Sequence, residues 1–265
     1  MSLREDRVGD CTSRYRVAAG NDQGLRVLVD GPDLSGKTTL VEAVSARLRA
    51  RGWTVQANKG GRDDRWRVRT IARISPNKHP DSALLNSAYI AQALLDHLRD
   101  RPVPKNTIII TEGYVDRSIA YGIARGLGWP AQLALRVRDI FPRFNLAILV
   151  KADLATRKAR LAQRNAPSRI DRRSIESHHR FLAAYRLVFR RHRRRIIIDT
   201  SRVGIDEAVD VALQHILDVA GYRPVQAGSE VLVSAAVSRP LVHLDALIPD
   251  GQLPPHLSAA NRKNK

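Results

Sequence analysis

The chain has 265 residues, with 45 lysines and arginines against 26 aspartates and glutamates, for a formal net charge of +19. That length allows one substantial domain plus tails, while the single cysteine, Cys11, excludes an intramolecular disulfide and fits a reducing compartment. No apolar run is long enough to span a bilayer, and the arginine-rich charge favours phosphate-bearing partners over apolar ones.

The opening stretch, MSLREDRVGDCTSRYR, has mixed charge and no apolar centre. It predicts a loose arm over Met1–Gly24, without a secretory signal, in a cytoplasmic protein. Arg26–Asp30 (RVLVD) is a short apolar run of the buried-strand type. Next comes Gly31, four residues, then Gly36-Lys37-Thr38, the spacing of a phosphate-binding P-loop. Leu40, Val44 and Leu48 then recur at helical spacing. Strand, glycine loop and helix is the order that places a phosphate at a helix N-terminus. Gly31, Ser35, Gly36, Lys37, Thr38 and Thr39 are therefore the candidate nucleotide-binding residues. Lys37 would reach the β- and γ-phosphates of ATP, and the Thr38 hydroxyl would ligate Mg²⁺.

Further along, Trp53–Ala57 predicts a strand, Ser82–Arg99 a helix and Thr107–Thr111 (TIIIT) a buried strand. Ser118–Arg125 and Ala131–Ile140 read as helices, and Leu146–Val150 as a strand. Leu154–Arg164 is an arginine-rich helix, and Asn165–Arg173 a basic loop. Ser174–Arg190 is a long helix that Ser174 would cap, Arg195–Asp199 is the last core strand, and Ile205–Ala220 closes the domain. Beyond Gly221 the periodicity stops and prolines accumulate, so residues 222–265 read as an extension.

Strands alternating with helices predict an α/β, three-layer P-loop fold with a parallel sheet, whose site lies at the strand C-termini. Glu112 follows the TIIIT strand directly and so faces that cleft. It suits a water-mediated Mg²⁺ partner or a base for an acceptor hydroxyl; capping the next helix is the structural alternative. Asp116 and Arg117 also read as a solvated surface pair. His178-His179 reads as a helix surface. The run Arg190–Arg195 (RRHRRR) reads as a helix end and turn, or as a nucleic-acid patch.

From Leu25 to about Gly221 the chain resembles thymidylate kinase-type nucleotide kinases. Asp33 falls two residues after the first P-loop glycine, as in the family. EGYVDRSIAY, from Glu112 to Tyr121, resembles the family's acidic-Arg-Tyr segment. Arg160 and Arg164, then Arg169-Ile170-Asp171 with Ser174, Glu176, Arg180 and Tyr185, match its basic lid and the following helix. The resemblance implies that Asp33 faces the acceptor sugar, that Arg160, Arg164 and Arg169 close a lid over the transferring phosphoryl group, and that the enzyme is a homodimer.

The departures concern the acceptor. Gly113 replaces the arginine of the triplet, no arginine lies between Asp81 and Leu98, and Asn58-Lys59-Gly60-Gly61 replaces an Arg-Glu-Pro-type segment. Arg62, Arg65 or Arg117 would have to hold an acceptor phosphate instead. Three readings follow: a kinase of dTMP or a related monophosphate, the same machinery acting on an unphosphorylated hydroxyl, and a nucleotide-dependent nucleic-acid-binding module. The missing arginines favour the second for the acceptor.

Overall fold

The computed structural model describes residues 15–17, 24–60, 83–98, 101–127, 129–137, 140–166 and 168–224. The elements in order are β1 (Tyr15–Val17), β2 (Leu25–Asp30), α1 (Lys37–Arg49), β3 (Thr54–Lys59), α2 (Ala83–Leu98), β4 (Thr107–Glu112), α3 (Val115–Arg125) and α4 (Trp129–Arg136). Then follow β5 (Leu146–Lys151), α5 (Leu154–Ala162), α6 (Arg169–Glu176), α7 (His178–Phe189), β6 (Arg195–Asp199), α8 (Ile205–Val219) and β7 (Tyr222–Pro224).

Five strands form a wholly parallel sheet in the order β3-β4-β2-β5-β6. The apolar runs of β2, β4 and β5 are continuous because both faces are covered. Val27, Val29, Ile148 and Val150 point into a core shared with α1 and α8. Leu28, Ala147 and Leu149 point into the opposite core, formed with α3 and α7 and including Ala93 of α2. This is the three-layer α/β arrangement that the alternating pattern predicts. It puts the C-terminal ends of β2 and β4 side by side, with Val29 in register with Glu112. Those ends carry the P-loop and the Glu112 turn.

Several boundaries differ from the sequence expectation. Tyr15–Val17, inside the supposed loose arm, pairs antiparallel with Tyr222–Pro224, beyond the expected end of the core. Their short runs carry too little periodicity to be seen without the partner. The stretch read as a basic loop already turns helical at Arg169. Ser168 is the cap: its side chain accepts from Asp171 N–H while the Asp171 carboxylate accepts from the Ser168 N–H, a reciprocal capping box. Ser174 is therefore a buried residue within α6, and the helix breaks at Ser177 before α7. The segments containing Arg62, Arg65 and the proposed 231–237 strand lie outside the described residues.

Candidate active site

The P-loop runs from the end of β2 into α1. Gly31 has φ +147°, and a Cβ there would lie 2.0 Å from the Val150 carbonyl oxygen. Only glycine lets the loop pass this close to β5. Helix α1 starts behind Gly36 with no side-chain cap and no acidic residue in its first turn. The N–H groups of Lys37, Thr38 and Thr39 have no intrahelical acceptor, so this helix end is open to an anion. The Ser35 hydroxyl in the loop is buried and without a hydrogen-bond partner. An orphaned buried hydroxyl beside uncapped N–H groups fits a phosphate oxygen. Thr39 is exposed, so its contribution comes from the backbone.

Lys37 is buried, and its Nζ donates to the carbonyls of Gly31 (2.9 Å) and Pro32 (2.7 Å). Burial pushes its ammonium below the usual lysine range against the attraction of Asp33, whose carboxylate is 4.0 Å away. The Thr38 hydroxyl donates to Glu112 Oε1 at 2.7 Å, joining two residues that sequence reading assigned separately to a metal. Glu112 Oε2 is buried without a hydrogen bond, and Lys59 Nζ stands 3.9 Å from it. A hydroxyl and a carboxylate with one free oxygen form a hard donor set that fits Mg²⁺ held through water. Glu112 does not cap the next helix, since Tyr114 occupies that position without a side-chain cap bond.

Asp33 lies within the P-loop, four residues before Lys37. Arg117 Nη2 donates to its Oδ1 at 2.9 Å. Burial would raise the Asp33 carboxyl, but Arg117 and then Lys37 hold it below the usual aspartate range. Arg117 is thus half-buried in the cleft rather than in a solvated pair with its neighbour. Asp116 points the other way and is fully buried. Its carboxylate accepts from Arg191 Nε (2.8 Å) and Nη2 (2.7 Å), with His192 Nε2 at 3.0 Å. The charge run after α7 therefore anchors α3 with Arg191 and His192.

The lid arginines divide. Arg160 Nη1 donates to the Leu34 carbonyl and to Thr200 Oγ1, both at 3.0 Å, so it grips the P-loop from outside. Arg164 Nη1 pairs with Asp171 at 2.6 Å and supports the capping box. Arg169 opens α6, but its side chain lies outside the described residues. His178 is buried against Arg157 and is not the surface residue its sequence suggested. Arg157 had no signal of its own within an arginine-rich helix.

Asp30, the last residue of β2, was also missed. It is fully buried near the buried Tyr185, and its Oδ1 accepts from Gly31 N–H at 2.7 Å. Burial first, then the Asp116 charge, pushes its carboxyl up to about 7. The folded protein keeps this proton over a pH range in which the unfolded chain has lost it. Its stabilising contribution is complete at low pH and is lost as pH rises to about 7. Asp30→Asn retains the acceptor and removes the titration. The melting temperature of the variant relative to the parent should therefore rise between about pH 5 and about pH 8. A constant difference across that range in thermal melts would sink this expectation.

Among the described residues no cluster of three or more His, Cys, Asp or Glu could hold a metal, and no helix is long and apolar enough to cross a membrane. The family profile for thymidylate kinase matches residues 29–210. A thymidylate kinase of Deinococcus radiodurans is 31% identical over 190 residues, covering 68% of this chain and 90% of the relative. One from Geobacillus sp. (strain WCH70) is 24% identical over 198 residues, covering 71% and 94%. The solved structure of thymidylate kinase from Candida albicans superposes with a TM-score of 0.57 at 16% identity, covering 76% of this chain and 95% of that one; it speaks to the fold alone.

Proposed function

The chain belongs to the thymidylate kinase family, and we propose that its acceptor is a nucleoside monophosphate of the dTMP type. That it is an ATP-dependent phosphotransferase using Mg²⁺ follows from the family. The finer reading is supported chiefly by the position of Arg117.

An acceptor phosphate brought beside a P-loop must be met by a cation. The triplet arginine is replaced by Gly113, which removed the expected one. Gly113 has φ +66°, and a Cβ there would lie 3.5 Å from Arg117 Cδ and 3.8 Å from Asp30 Oδ1. The Arg117 side chain thus enters this space from one helical turn further on, with its guanidinium against Asp33. Attraction by Asp33 keeps it firmly protonated. The preference for an unphosphorylated acceptor rested on the missing family arginines; the position of Arg117, one of the possible stand-ins, supports the phosphorylated acceptor instead.

MgATP, when bound, supplies the γ-phosphoryl group and a divalent charge that offsets its oxygens. Lys37, the Ser35 hydroxyl and the first-turn N–H groups of α1 would hold the phosphates. Thr38 and Glu112 would hold the metal. Asp33 would orient the acceptor and receive its hydroxyl's hydrogen bond, while Arg117 takes the acceptor phosphate. Phosphoryl transfer demands little else than such positioning and charge compensation. Arg160 would act as a fixed brace of the cradle, and Arg164 and Arg169 would close the lid side.

The test is ADP release with MgATP and a panel of acceptors. Turnover with dTMP should exceed that with thymidine by about 10³-fold, because the nucleoside forfeits the charge-assisted bonds that Arg117 would make to the phosphate. Turnover confined to thymidine or another unphosphorylated acceptor would overturn the reading.

A further inference from the structure

A loop that turns its N–H groups inward toward phosphate turns carbonyls outward. Buried outward carbonyls need donors. In this P-loop two arginines one turn apart on α5 supply them. Arg157 Nε donates to the Asp33 carbonyl at 2.8 Å, and Arg160 Nη1 to the Leu34 carbonyl at 3.0 Å. Leu34 itself has φ +67°, a left-handed backbone that a branched side chain adopts only when its surroundings enforce it.

Arg157 is 0% exposed, among the most enclosed side chains of the protein. Its remaining bonds go to His178 Nδ1 at 2.7 Å, to the Ser174 carbonyl at 3.2 Å and to the Ser174 hydroxyl. Ser174 lies in the last turns of α6 and His178 opens α7. One guanidinium therefore ties the P-loop to both helices beyond the lid loop. Its direct partners are carbonyls, a hydroxyl and an imidazole, so its bonds give direction and little charge compensation.

We propose that Arg157 is a positioning residue that couples the α6–α7 corner to the phosphate cradle, fixing the Asp33–Leu34 backbone so that its N–H groups face the nucleotide. The arrangement requires His178 to be neutral, with Nδ1 accepting and its proton on Nε2. Burial and then the adjacent Arg157 hold the ring below the usual histidine range; His179 adds to this and Asp153 opposes it.

The experiment is MgADP binding by calorimetry on the full chain. Arg157→Lys keeps the charge but offers a single nitrogen in place of a fork. It should melt near the parent temperature while its MgADP Kd rises about 10-fold or more. Arg157→Gly leaves a guanidinium-shaped gap, and millimolar guanidinium chloride should restore its binding where methylammonium chloride does not. Nitrogen-15 NMR should find His178 neutral with an accepting Nδ1 at neutral pH in the parent, and that signature lost in Arg157→Lys. An unchanged Kd in Arg157→Lys, a protonated His178 in the parent, or a folded Arg157→Gly that guanidinium fails to restore would each overturn the proposal. If Arg157→Gly does not fold, Arg157→Lys and the NMR signature decide it.

Discussion

Lys37→Ala should lower kcat by about 10³-fold or more with any acceptor, because a preorganised charge aimed at the phosphoryl oxygens is removed from a water-poor site. The geometry makes this loss hard to repair. Lys37 is buried at the start of α1, and its ammonium is already placed by the Gly31 and Pro32 carbonyls. Desolvation has therefore been met in the folded protein, so little reorganisation is needed at the moment of transfer. Neighbouring cations cannot substitute: Arg160 is bound to Leu34 and Thr200, and Arg117 to Asp33. Lys37→Arg should fail nearly as badly, since a planar fork does not fit a space closed by two carbonyls. Single-turnover kinetics on both variants check this. A Lys37→Ala enzyme within tenfold of the parent would remove Lys37 from the chemistry.

Much of this site was legible in the sequence because its parts are local. The P-loop spacing places Gly31, Lys37 and Thr38 on one turn whatever the rest of the chain does. Glu112 was visible for a similar reason: it ends an apolar run in a parallel sheet, where strand C-termini face the cleft. The bond from Thr38 to Glu112 spans 74 residues and joins two of those local signals. What could not be read depends on direction. Asp116 and Arg117 are neighbours in sequence, yet one points into a buried pair with Arg191 and the other toward Asp33 of the P-loop. As adjacent opposite charges they also fit a solvated surface pair, and sequence alone does not separate that from a role for Arg117 in the cleft. Arg157 and Arg160 share α5, and Arg164 follows just beyond its end, in one arginine-rich stretch. Helical rotation sends the first inward to the P-loop and the second to the loop edge, while the chain leaving the helix carries the third to the Asp171 cap. The α6 start was missed because Ser168 and Asp171 cap it within a stretch that looked only basic.

Arg117→Ala should cost about 10² to 10³-fold in kcat/KM for dTMP, the range for removing one partner of a partly desolvated charge pair. The loss should be selective. Thymidine has no phosphate for Arg117 to meet, so its low rate should change far less, and the ratio between the two acceptors should collapse. Loss of Arg117 also removes the largest of the charges that hold Asp33 down, leaving Lys37 with the more distant Arg157 and Arg164, and its carboxyl shifts back toward the ordinary range. Asp33 is held low partly by Arg117, so activity should fall away at a higher pH on the acid limb than in the parent. Gly113→Arg in the Arg117→Ala background tests the relocation itself. The contact that a Gly113 side chain would make with Arg117 Cδ is gone in that double variant. The remaining obstacle is the left-handed backbone at φ +66°, which costs about 1 kcal/mol for a residue with a Cβ. Partial recovery of dTMP turnover, at least about tenfold over Arg117→Ala, would mean that the acceptor phosphate can be met from either position. Equal losses for dTMP and thymidine in Arg117→Ala would instead make Arg117 a structural partner of Asp33, and the acceptor phosphate would have to be held elsewhere.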